Sequence, residues 1–93
     1  MFFRRNPFFK SDGYALIAQV RTSKKQEVIQ IRISKSSELS QEAGGYFVRK
    51  TLIGPKTLDQ AVLEVSLTRG YRVKQATVDG GDLIPVKEWE DIS

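Results

Sequence analysis

A chain of 93 residues makes one domain, because a second would be too small to bury a core of its own. At 40% apolar and 28% charged residues with a net charge of +4, it lies outside the disordered class, and no apolar run approaches the roughly 20 residues that span a bilayer. The absence of cysteine and histidine excludes disulfides, thiolate and imidazole metal ligands, and catalysis by either side chain.

The N-terminal stretch Met1-Phe2-Phe3-Arg4-Arg5-Asn6-Pro7-Phe8-Phe9-Lys10 does not read as a signal peptide. Its apolar pairs are interrupted by Arg4 and Arg5, and no small-residue cleavage site follows. A cytoplasmic location is expected, in agreement with the lack of cysteine. Pro7 makes residues 1–12 an extended arm. Phe2, Phe3, Phe8 and Phe9 are each worth roughly 1.5–3 kcal/mol when buried, so the arm is expected either to fold back or to insert into a partner.

The first strand is expected over Tyr14–Thr22, with Tyr14, Leu16, Ala18 and Val20 on one face and Ala15, Ile17, Gln19 and Arg21 on the other. Ser23-Lys24-Lys25-Gln26 reads as a hairpin loop. Glu27–Ser34 has the cleanest alternation, with Ile29, Ile31 and Ile33 inward and Gln30, Arg32 and Ser34 outward. Lys35–Ala43 is polar, with room for a short helical turn around Leu39, and Gly44-Gly45 ends it. Tyr46–Ile53 is a third strand, rich in aromatic and β-branched residues, broken by Gly54-Pro55.

The main helix is expected from Leu58 to Arg69. Thr57 and Gln60 form a capping box. Asp59 and Arg69 suit the two ends of the helix dipole, and Gly70 suits a left-handed cap. At about 100° per residue, Leu58, Ala61, Val62 and Val65 share one face, with Leu63 and Leu67 on the other. Tyr71–Val78 is a fourth strand, Asp79-Gly80-Gly81-Asp82 a turn, and Leu83–Val86 a short edge strand because of Pro85. The expected fold is therefore α+β: a two-layer domain over residues 13–86, with a four-stranded, mainly antiparallel sheet in β-β-β-α-β order under one main helix. An acidic tail spans 87–93.

The charge is uneven. Residues 1–78 hold fourteen Lys and Arg against six acids, whereas 79–93 hold Lys87 against Asp79, Asp82, Glu88, Glu90 and Asp91. A basic body suits an anionic partner: nucleic acid, an acidic protein or a membrane face. Arg32, Arg49 and Arg72 lie on expected strands, with Phe47 beside Arg49 and Tyr71 beside Arg72, so that a sheet face could contact phosphates and stack bases. No ribonucleoprotein signature, helix-turn-helix or phosphate-binding glycine loop accompanies them. Asp79 and Asp82 lack the ligand spacing of a calcium loop. The carboxylates around Trp89 have no buried pocket to tune them, and no serine has a histidine or Ser-x-x-Lys partner.

Thr51-Leu52-Ile53-Gly54-Pro55, followed by Leu67-Thr68-Arg69-Gly70-Tyr71-Arg72-Val73, is similar in plan to the small phycobilisome linker (CpcD-like) domain family. That family has a basic strand running into Pro, then a helix, a glycine turn and a final strand. Arg69-Gly70-Tyr71-Arg72 stands here in place of the double-glycine turn. The resemblance implies a non-catalytic domain that inserts into a ring of light-harvesting proteins, in a cyanobacterial or plastid setting.

The expected function is a non-catalytic interaction module without cofactor or metal. It docks on a larger protein assembly, or on a second copy of itself, through a basic sheet face and the apolar arm. The partner-binding residues would be Phe2, Phe3, Phe8, Phe9, Arg32, Arg49, Leu63, Leu67, Arg72 and Trp89. The alternative is a small nucleic-acid-binding protein, regulatory or viral.

Overall fold

In the computed structural model, which describes residues 6–90, the strands are β1 (Phe9–Asp12), β2 (Ala15–Thr22), β3 (Val28–Ser34), β4 (Ser40–Glu42), β5 (Gly45–Ile53), β6 (Gln60–Thr68), β7 (Val73–Asp79) and β8 (Gly81–Leu83). A single 3-10 turn at Val86–Glu88 follows. One antiparallel sheet runs β1-β2-β3, with β8 also paired to β2; the other runs β4-β5-β6-β7. Because β3 pairs along the whole of β2, β1 and β8 share the opposite edge of β2, end to end.

Alternation builds the core, as each strand turns every second side chain to one face. Leu16, Ala18, Val20, Ile31 and Ile33 from the first sheet meet Val48, Leu52, Ala61, Leu63, Val65 and Leu67 from the second in one buried cluster. The expected β2, β3 and β5 strands are present, within a residue of the expected limits. Leu39 leads into the short strand β4.

The expected α+β fold is corrected to a two-layer β-sandwich. The segment given to the main helix is β6, paired with β5 along its whole length and with β7 over most of it. Ala61, Leu63, Val65 and Leu67, every second residue, are 2%, 0%, 0% and 0% exposed, whereas Gln60, Val62, Glu64, Ser66 and Thr68 are not buried. A period of two fits this run better than 3.6, and β-branched Val62, Val65 and Thr68 favour a strand. The cap-like residues do other work: Thr57 Oγ1 accepts from Asp59 N–H at 3.2 Å inside a loop. At the far end, Tyr71 rather than Gly70 takes the left-handed conformation (φ 65°), in the hairpin from β6 to β7.

The turn expected at Asp79–Asp82 carries the chain from one sheet to the other. Gly80 sits at φ 86°, and a Cβ there would come within 2.8 Å of the Gln60 carbonyl oxygen. Both facts call for glycine. Loops 23–27 and 54–59 thus lie at one end of the sandwich. Residues 35 and 69–72, with the start of β2, lie at the other.

Candidate functional site

A cleft of about 820 Å³ opens at the end of the sandwich where β2 begins. Its apolar part comes from Phe9, Leu16 and Val73. Its cationic part comes from Lys10 on β1, Lys35 after β3, and Arg72 in the β6–β7 hairpin; among the described residues no carboxylate lines it. Three positive side chains over an apolar floor attract an anion and hold it beside low-dielectric walls, where charge interactions are strengthened.

Local hydrogen bonds position these groups. Lys35 N–H donates to the Tyr14 carbonyl at 2.6 Å, and Lys35 Nζ donates to Ser11 Oγ at 3.0 Å. In the hairpin, Thr68 N–H donates to the Arg72 carbonyl at 2.8 Å, and Arg72 N–H to Thr68 Oγ1 at 3.1 Å. The left-handed Tyr71 turns its ring onto Tyr46, with centroids 4.7 Å apart and planes 8° from parallel. The Tyr71 hydroxyl donates to that of Tyr46 at 3.3 Å. This hydrogen bond, with the charge of Tyr46 and burial behind it, raises the Tyr71 phenol above its ordinary range.

The expected site residues do not share one surface. Arg32 lies on the outer face of the first sheet, paired with Asp12 at 3.3 Å. Arg49 lies on the outer face of the second, paired with Glu64 at 3.8 Å. These faces point away from each other, so the expected single basic sheet face does not form. Only Arg72 of the three expected arginines reaches the cleft. Leu63 and Leu67, expected as a second exposed stripe, are fully buried: on a strand they point inward with Ala61 and Val65. Phe9 pairs with Ala18 and joins the core, and Phe8 packs against it half-buried. This part of the arm therefore folds back; Phe2 and Phe3 lie outside the described residues. Trp89 is half-buried, its Nε1 donating to the Ile84 carbonyl at 2.9 Å.

Sequence reasoning missed Lys10, Lys35 and the Tyr46–Tyr71 stack. No local signal marks them, because strand pairing between distant segments brings them together. Among the described residues no group of three or more acidic side chains is placed to hold a metal ion, and no helix is long and apolar enough to cross a membrane. No protein-family model matches the chain, nor does any curated protein or solved structure.

Proposed function

We propose that this protein is a non-catalytic interaction module that binds an acidic segment of a partner protein in the cleft between Lys10, Lys35 and Arg72. The observation that carries the reading is the lining itself: three cationic side chains around an apolar floor. An acidic segment with an apolar residue among its carboxylates complements both parts. The buried Leu63 and Leu67 take no part. A cytoplasmic setting agrees with a chain that has no cysteine.

One observation favours a second reading, single-stranded nucleic acid. Tyr71 lines the cleft, is 37% exposed and stacks on Tyr46; an aromatic ring beside cations stacks bases.

The test is amide chemical-shift mapping of the labelled chain with an oligoglutamate peptide and, separately, an oligothymidylate. The protein reading expects saturable shifts at residues 10–11, 35 and 70–73 with the peptide. Shifts there with the oligonucleotide alone decide for nucleic acid. Shifts spread over both outer sheet faces contradict the cleft in either form.

A further inference from the structure

The end of the sandwich opposite the cleft carries a different surface. Loop 54–59 presents Leu58, 72% exposed, next to Ile53 at the end of β5, 53% exposed. Leu58 is held at φ 64°, a conformation that side chains other than glycine avoid and that persists only when its surroundings impose it. Exposed Lys56 belongs to the same loop, and exposed Lys24 and Lys25 to the adjoining β2–β3 loop. The two loops are joined, since Lys25 N–H donates to Asp59 Oδ2 at 2.8 Å.

Of the carboxylates at this end, Asp59 and Glu27 are occupied by the protein, while exposed Asp79 and Asp82 flank the crossing at Gly80, whose carbonyl accepts from Ser23 N–H at 3.0 Å. Asp59 Oδ2 also accepts from Thr22 Oγ1 at 2.8 Å. Glu27 accepts from the backbone N–H of Lys56 and of Thr57, and from Thr57 Oγ1 at 2.6 Å. Gly54 N–H donates to the Asp59 carbonyl, and Leu58 N–H to that of Gly54, both at 2.9 Å. Asp59 N–H is met by Thr57 Oγ1, and Pro55 has no N–H. Every backbone donor from residue 54 to residue 59 is therefore satisfied within the protein.

A loop whose donors need no water keeps those hydrogen bonds at the headgroup–acyl boundary, where its carbonyls still meet water. Exposed aliphatic side chains with lysines in the same and the adjoining loop match the two layers of an anionic membrane surface, acyl boundary and headgroups. We propose that this tip docks on an anionic lipid surface. Leu58 and Ile53 enter the headgroup–acyl boundary, and Lys24, Lys25 and Lys56 face the anionic headgroups. The self-satisfied loop, which offers no backbone donor to a partner, favours lipid over an acidic protein. The proposal uses none of the cleft residues and stands apart from the reading above.

Co-sedimentation of the full chain with phosphatidylcholine vesicles, with and without phosphatidylserine, tests it. Binding is expected only with phosphatidylserine, and is expected to weaken with salt. Leu58→Asn, a residue that tolerates the left-handed backbone, is expected to lower partitioning about ten-fold, and Lys24→Ala on the order of five-fold. Lys35→Ala, in the cleft, should leave it unchanged. Ile53→Ser serves as the second variant should Leu58→Asn melt earlier. The proposal is overturned by equal binding to both vesicle types, by none to either, or by wild-type partitioning of both Leu58→Asn and Ile53→Ser. Oligoglutamate binding that Lys24→Ala abolishes, with no vesicle binding, would overturn it in favour of an acidic protein.

Discussion

The side-chain amide of Gln19 holds the backbone of Glu90 from both sides. Gln19 Nε2 donates to the Glu90 carbonyl at 2.8 Å, and Glu90 N–H donates back to Gln19 Oε1 at 3.0 Å. A third bond, from Nε2 to Gln30 Oε1 at 3.0 Å, completes the satisfaction of an amide that is only 1% exposed. Strand β2 is thus covered on both faces: Leu16, Ala18 and Val20 pack into the core, and the C-terminal segment lies over Gln19. A buried polar side chain requires partners of this kind.

Gln19→Ala should release that segment. The expected loss is about 1–3 kcal/mol, the cost of leaving polar groups without partners. Trp89, the only tryptophan, reports it directly: its emission should shift to the red as the indole meets water. Unchanged emission with full stability would show that the amide holds nothing in place.

The two loops of the lysine-rich end predict an acid limb. Hydrogen bonds from Thr22 and the Lys25 N–H hold Asp59 below its ordinary 3.8. Those from Thr57 and the Lys56 N–H hold Glu27 below 4.5. The folded carboxyls titrate lower than the unfolded ones, so their stabilisation is complete above those ordinary values. It is lost as pH falls through the folded values. Denaturant midpoints should be flat near neutrality and fall below about pH 4.5. Asp59→Asn and Glu27→Gln should each flatten the fall, and an unaltered acid limb in both would contradict the assignment.

Gly54 and Glu27 should be energetically coupled. A Cβ on Gly54 would collide with Glu27 Oε1 and Cδ, so Gly54→Ala has to displace the carboxylate that holds Lys56 and Thr57. The cost should be about 1–3 kcal/mol and should shrink by at least about 0.5 kcal/mol in a Glu27→Ala background. A double-mutant cycle in urea measures it, and strict additivity would refute the contact.

Leu67→Ala separates a core role from an interface role. Leu67 is fully buried in β6, so truncation should cost about 2–5 kcal/mol without changing the affinity of the molecules that remain folded. A stable variant with weakened binding would return Leu67 to a surface.

Much of the sandwich is legible in the sequence wherever alternation is unambiguous. Ile29, Ile31 and Ile33 mark β3, and Asp79-Gly80-Gly81-Asp82 marks the crossing between sheets. Residues 58–69 are not, because Thr57, Asp59, Gln60 and Gly70 match helix caps while Ala61, Leu63, Val65 and Leu67 match a strand. Pairing with β5 and β7 decides between them, and that pairing is a property of the whole fold. The sequence leaves the arm open between folding back and inserting; Phe9 pairs with Ala18 across the β1–β2 turn. The cleft is the least legible part. Lys10, Lys35 and Arg72 come from three separate turns or strands, and no spacing along the chain links them.

The most direct test of the cleft is fluorescence anisotropy of a labelled oligoglutamate peptide, titrated with wild type and with the Lys10→Ala/Lys35→Ala/Arg72→Ala variant at about 50 and about 200 mM salt, beside a labelled oligothymidylate. The account predicts saturable peptide binding that weakens with salt, and a marked loss of affinity in the triple variant measured where its melting curve shows it fully folded. Equal peptide affinity in wild type and the triple variant would contradict it.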